Sequence, residues 1–155
     1  MNAKNKKLAL RLLKRLFEGS QIEGVLFGTV KQLLIKQGGS YRGQIYLNLA
    51  SSWMVVDALP DPLPSGEDDF PDLSEEEELS VICSLRHQTI SKLELGNNHP
   101  HLILTLENGA IFLLNGIHYG YECWQAGVSG NSGENSLVVA TPGGDLAVWL
   151  PRGFE

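Results

Sequence analysis

Cysteine is scarce in this sequence, aromatics are few, and no long apolar run exists. The 155 residues hold two cysteines, Cys83 and Cys123, at no repeated spacing. Neither a disulfide framework nor a paired-cysteine metal or redox motif is therefore expected. No stretch approaches the roughly 20 uninterrupted apolar residues that cross a bilayer. The apolar run at 8–17 is broken by Arg11, Lys14 and Arg15, which makes a poor signal-peptide core. A reduced, cytoplasmic chain is the expectation.

Positive charge is also missing from most of the chain. Six of the twelve Lys and Arg residues (Lys4, Lys6, Lys7, Arg11, Lys14, Arg15) fall within the first fifteen positions, which contain no acid. The remainder sets six cations against eighteen Asp and Glu, a net of −12. A body this negative repels nucleic-acid phosphates and attracts basic proteins. A nucleic-acid partner is thus not expected, and a basic protein partner is.

What is present is ordinary globular composition, with 43% hydrophobic and 19% charged residues. The length suits one domain spanning 1–155. Residues 4–18 read as an amphipathic helix, because Leu8, Leu12 and Leu16, with Leu10, Leu13 and Phe17, recur at three- and four-residue spacing. Gly19 is its expected stop. Strands are expected at 22–27, 30–36 and 44–49, the last running on toward Trp53, with Gly38-Gly39-Ser40 as a turn. Residues 57–73, punctuated by Pro60, Pro62, Pro64, Gly66 and Pro71 and charged by acids, predict an exposed loop. Ser74-Glu75-Glu76-Glu77 is a capping-box signature opening a second helix to about residue 87. Further strands are expected at 90–95, 101–106 and 110–114, with Asn108-Gly109 as a hairpin turn. A final hairpin over 136–151 turns at Pro142-Gly143-Gly144, and 127–135 reads as a surface loop.

The two halves echo each other. Ile22, Val25, Phe27 and Gly28 align with Ile90, Leu93, Leu95 and Gly96 at an offset of 68. Farther on, Leu33 aligns with Leu102, and Ile45-Tyr46-Leu47 with Ile111-Phe112-Leu113, at 69 and 66. Trp53 and Trp124 close the two units. The expected architecture is α+β: a largely antiparallel, continuous sheet built from two related helix–three-strand units, with the helices packed on it. The units span 4–56 and 74–126, joined by the acidic linker 57–73.

The string Leu-Thr-Leu-Glu-Asn-Gly-Ala-Ile-Phe-Leu at 104–113, the later Tyr121-Glu122-Cys123-Trp124, and Leu47-Asn48-Leu49-Ala50-Ser51-Ser52-Trp53 resemble segments of small bacterial α+β proteins. Some of these are grouped with the immunity proteins of polymorphic toxin systems. The likeness extends in pattern over 20–150 and rests on hairpin and core residues. It implies a binding role and fixes no functional residue.

Chemical motifs are sparse. His99 and His101 are spaced like ligands on one strand face, and Cys83, His118, Glu122 and Cys123 could complete a site, but the pair follows Asn97-Asn98, so surface or hairpin histidines are expected, with no metal and no cofactor. Neither cysteine has a basic or helix-start setting that favours a thiolate. No Gly-x-Ser-x-Gly elbow appears, and Gly38-Gly39 and Gly143-Gly144 lack the rest of a phosphate-binding fingerprint. Glu122, flanked by Tyr119, Tyr121 and Trp124, is the one acid among aromatics; cross-strand hydrogen bonding is the expected role rather than acid–base chemistry.

The acidic tract carries most of the functional content. Glu67, Asp68, Asp69, Asp72, Glu75 and Glu76 form a candidate surface for a basic partner, with Tyr119, Tyr121 and Trp149 as candidate aromatic anchors. Two plainer roles compete with it: a solvated loop with a dipole-matched helix start, and docking of the chain's own cationic helix. The expected function is a non-enzymatic binding protein of the immunity type that occludes a basic toxin. The alternatives are an assembly subunit that docks through its N-terminal helix and a small hydrolase or lyase using Glu122.

Overall fold

The computed structural model describes residues 1–38, 43–130 and 136–154. The order is α1 (Ala3–Phe17), β1 (Gln21–Leu26), β2 (Lys31–Lys36), β3 (Gln44–Leu49), β4 (Trp53–Val56), a single 3-10 turn (Glu67–Asp69), α2 (Glu75–Leu85), β5 (Ile90–Leu95), β6 (Leu102–Leu106), β7 (Ile111–Leu114), β8 (Trp124–Ser129), β9 (Leu137–Thr141) and β10 (Asp145–Trp149). This is an α+β fold, mostly sheet, with the helices packed on the sheets.

The expected continuous sheet is instead divided in two. One runs β1-β2-β3-β8-β9-β10 and the other β4-β7-β6-β5, with every neighbouring pair antiparallel. The run from Gln44 to Trp53 is not one strand, because the chain breaks at Ala50-Ser51-Ser52 and β4 crosses to the second sheet. There Trp53 pairs with Leu114, while Trp124 of β8 pairs with Leu49 in the first sheet. Each unit thus lends its tryptophan-bearing strand to the other.

The units also meet through reciprocal backbone bonds. Ile22 N donates to Gln88 O (3.0 Å) and Ile90 N to Ser20 O (2.8 Å). Gly19 N donates to Ile90 O (2.8 Å) and His87 N to Ile22 O (2.6 Å). All these partners match at the offset of 68. Gly19 and His87, the equivalent residues after the two helices, both have positive φ (82° and 71°), the left-handed conformation that ends a helix. A register shift falls between Ile22 and Gly24 in β1 and between Ile90 and Lys92 in β5.

Beyond the first strands the alignment needs correction. Val25 pairs with Leu33 as Leu93 pairs with Leu104, so the second strands match at 71, not 69. Leu33 pairs with Leu47 as Leu104 pairs with Phe112, so the third strands match at 65, not 66. The physical cause is turn length. The β5–β6 connection is three residues longer than its β1–β2 counterpart, and the tight Asn108-Gly109 turn shortens β6–β7.

One apolar core draws on both sheets and on α1, which buries Ala9, Leu12, Leu13, Leu16 and Phe17. The capping box of α2 is present: Glu77 N donates to Ser74 Oγ and Ser74 N to Glu77 Oε1, both at 3.2 Å. The linker 57–73 departs from an exposed loop. The outer face of the four-stranded sheet is apolar, and Phe70 and Leu63 cover it by packing with Ile103, Leu113, Met54 and Ile111. Burial of β6 on both faces (Leu102, Ile103 and Leu104) creates the need for that cover.

Residues 127–129, expected in a loop, continue β8. Gly127 pairs with Leu137, and a Cβ there would run into the Ser136 carbonyl oxygen. The rest of that expected loop, 131–135, and the expected turn at Gly39-Ser40 lie outside the described residues. The final hairpin turns at Gly143 and Gly144, both at positive φ (88° and 81°).

Candidate functional site

The acidic linker and the β7–β8 connection meet around one carboxylate. Glu67, on the 3-10 turn, accepts from the Tyr121 hydroxyl and from Ser51 Oγ (3.0 Å) at Oε1. Ser51, in the break between β3 and β4, accepts in turn from Asn115 Nδ2 (2.8 Å) at the end of β7. Asn115 also donates to Ile117 O (2.9 Å), which fixes the chain as it leaves the sheet. The His118 ring stacks on Tyr121 at 3.6 Å between centroids. Its Nδ1 accepts from Gly120 N (2.9 Å), leaving Nε2 to face Glu67 Oε2 at 3.9 Å.

This setting shifts two groups. Partial burial and the neighbouring Glu67 push the Tyr121 hydroxyl up to about 12. Burial, aided by the Glu67 charge, pushes the Cys123 thiol up to about 11, although a Ser51 hydrogen bond opposes it. At neutral pH Tyr121 is a donor and Cys123 a thiol, so neither is poised as a nucleophile.

Beside Glu67 opens a cleft of about 360 Å³. Its walls come from the β1–β2 turn (Thr29, Val30, Lys31), the β3–β4 break with Trp53, and the linker and α2 (Glu67, Asp72, Glu78). Lys31 Nζ lies 3.8 Å from Glu78 Oε2. Three carboxylates against one ammonium leave the cleft negative.

The structure therefore gathers Glu67, Asp72 and Tyr121 into one region, with Tyr119 (83% exposed) on the same short segment. Asp68 and Asp69 share the 3-10 turn of Glu67 and are exposed. Asp69 accepts from Ser65 N and Ser65 Oγ (2.8 Å each), which holds its carboxyl below the usual range. Glu75 and Glu76 lie exposed in the first turn of α2. Trp149 is exposed (50%), as its strand alternation implies. It sits at the far end of β10 from the turn that touches His118, about 14 Å along the strand, so it does not join this group.

Three other expectations change. Glu122 is not embedded among aromatics; it is exposed and, among the described residues, accepts from Gln125 Nε2 alone, at 3.3 Å. The acid that sits with Tyr121 and His118 is Glu67. His101 is not a surface histidine. It is buried, with Nδ1 accepting from Gly116 N (2.9 Å) and Nε2 donating to Pro64 O (2.7 Å). Both ring nitrogens are thus engaged with backbone, and burial holds its pKa below the ordinary value. Among the described residues no three His, Cys, Asp or Glu side chains converge as a metal would need. Nor do the described ion pairs link the cations of α1 with the acidic tract.

Ser51 and Asn115 escaped sequence reasoning because each is a polar letter just past the end of a strand. The available signal was Asn115, a polar residue directly after the apolar run Ile111-Phe112-Leu113-Leu114. Buried polar groups of that kind need partners. No family model, curated protein or solved structure matches the chain.

Proposed function

We propose that the chain is a non-enzymatic binding protein that receives a basic protein on the face formed by the acidic linker and the 117–122 segment. It acts as an immunity protein does, by occluding a toxin domain. The observation that carries this reading is the bond from Tyr121 to Glu67, which ties the acidic tract to the segment bearing Tyr119. Charge on such a face speeds encounter, and partly exposed aromatics supply contact area at small entropic cost. Glu67 Oε1 is engaged by two donors that hold the carboxylate in place, which supports a structural and binding role.

An assembly role for α1 is less well supported, because its apolar stripe lies in the core and only its cationic face remains to be presented. The test is stopped-flow measurement of association with any basic protein encoded beside the gene. The expected result is binding whose association rate falls at least about tenfold between low and 0.5 M salt, as screening shortens the reach of charge. Absence of binding, or binding indifferent to salt, refutes the proposal.

A further inference from the structure

Trp53 and Trp124 hold equivalent places in the two units, yet their indoles are treated differently. Trp124 Nε1 donates to Pro100 O (2.9 Å) in the β5–β6 connection. Trp53, only 6% exposed and stacked on Phe112 at 5.4 Å, has no hydrogen-bond partner for its Nε1 among the described residues. That N–H is not sealed in the core, since the one enclosed, unpartnered side-chain polar atom there is Ser136 Oγ. Trp53 lines the acidic cleft.

The difference follows from turn length. The β5–β6 connection has three more residues between equivalent pairs than the β1–β2 connection, as the shift from 68 to 71 shows. Those residues carry the Pro100 carbonyl to Trp124. The shorter β1–β2 turn leaves the corresponding space open, walled by Thr29, Val30 and Lys31. Beside it, Leu26 and Phe27 at the hairpin tip are exposed (54% and 62%).

We infer that this cleft recognises an extended segment of a protein partner, holding a Lys or Arg side chain among Glu67, Asp72 and Glu78 while Trp53 N–H donates to a backbone carbonyl of the same segment. A donor that the fold leaves unmatched gains a protein partner there, and the carboxylates complement the cation. Leu26 and Phe27 then offer apolar contact at the rim. This inference rests on the binding reading above and names the contact through which it operates.

The test uses the intact protein labelled with nitrogen-15 and carbon-13 and the peptide acetyl-Ala-Arg-Ala-amide, with a citrulline peptide as the uncharged isostere. The three indole N–H resonances are assigned by triple-resonance spectroscopy. The expected result is a shift of the Trp53 resonance with the arginine peptide, a still Trp124 resonance, and at least fivefold weaker binding of the citrulline peptide. Asp72→Asn should weaken the arginine peptide severalfold without changing the circular dichroism spectrum. A Trp53 resonance that stays fixed at millimolar peptide overturns the inference, as does equal response to both peptides or indifference to Asp72→Asn. If the peptide fails while the basic protein partner still binds, the cleft alone is refuted. If the partner also fails, the wider reading goes with it.

Discussion

His101 should make the fold acid-sensitive, and the sign and size follow from its two bonds. Because Nδ1 accepts from Gly116 N, the ring proton sits on Nε2 and goes to Pro64 O. Protonating Nδ1 would set a donor against the Gly116 donor, in a buried site with His99 nearby, and burial already depresses the pKa. The unfolded ring, near 6.5, therefore binds a proton more readily than the folded one. Stability is flat above about pH 6.5 and falls as pH drops below it, by at most about 1.4 kcal/mol per pH unit, until the folded-state pKa is passed. Urea unfolding between pH 5 and 8 reads this directly. His101→Asn keeps an acceptor near the Gly116 amide and gives up the bond to Pro64 and the titration. It should cost roughly 1–2 kcal/mol at pH 7.5, the worth of one buried hydrogen bond plus an orphaned carbonyl, and show a flatter profile between pH 5 and 6.5. A mutant whose acid loss equals that of the native protein would refute the assignment.

Three further outcomes can be checked on the same unfolding curves. Ser74→Ala removes the capping box of α2 and should cost about 1 kcal/mol, against almost nothing for the neighbouring exposed Ser80→Ala. Phe17→Ala empties a fully buried site on α1 and should cost about 3–5 kcal/mol; a loss under 1 kcal/mol would mean that the helix is not part of the core. Gly127→Ala drives a methyl into the Ser136 carbonyl and should lower the melting temperature more than Gly24→Ala, where a Cβ meets nothing within 4 Å.

Local chemistry made much of the fold legible. Three- and four-residue apolar spacing located α1, Ser74 and Glu77 located the start of α2, and Asn108-Gly109 located the β6–β7 hairpin. What could not be read was which sheet each strand would enter. β3 and β4 look like one alternating run, yet β4 leaves for the second sheet, where Trp53 pairs with Leu114. β8 was hidden for a different reason: its glycine and serine letters suit a loop, yet Gly127 is there because the neighbouring backbone leaves no room for a side chain. The linker misled through its prolines and acids. They do face outward for the most part, but Phe70 and Leu63 were the residues that decide its course.

The site was legible as charge and illegible as geometry, and the two units explain the gap. Read separately, each is a helix with three strands and a tryptophan, so the sequence presents them as equals. The second unit bonds its indole to a longer turn, while in the first the tryptophan lines a negative cleft. An offset that changes by three residues is a small mark in a string of letters, and the apolar matches on either side obscure it by allowing a register of 69 as readily as 71. Backbone pairing removes that ambiguity, because a one- or two-residue slip changes which side chains share a face. The acidic tract then gains a location as well as a charge: Glu67 is pinned by Tyr121 and Ser51, and Asp72 lines the same cleft as Trp53.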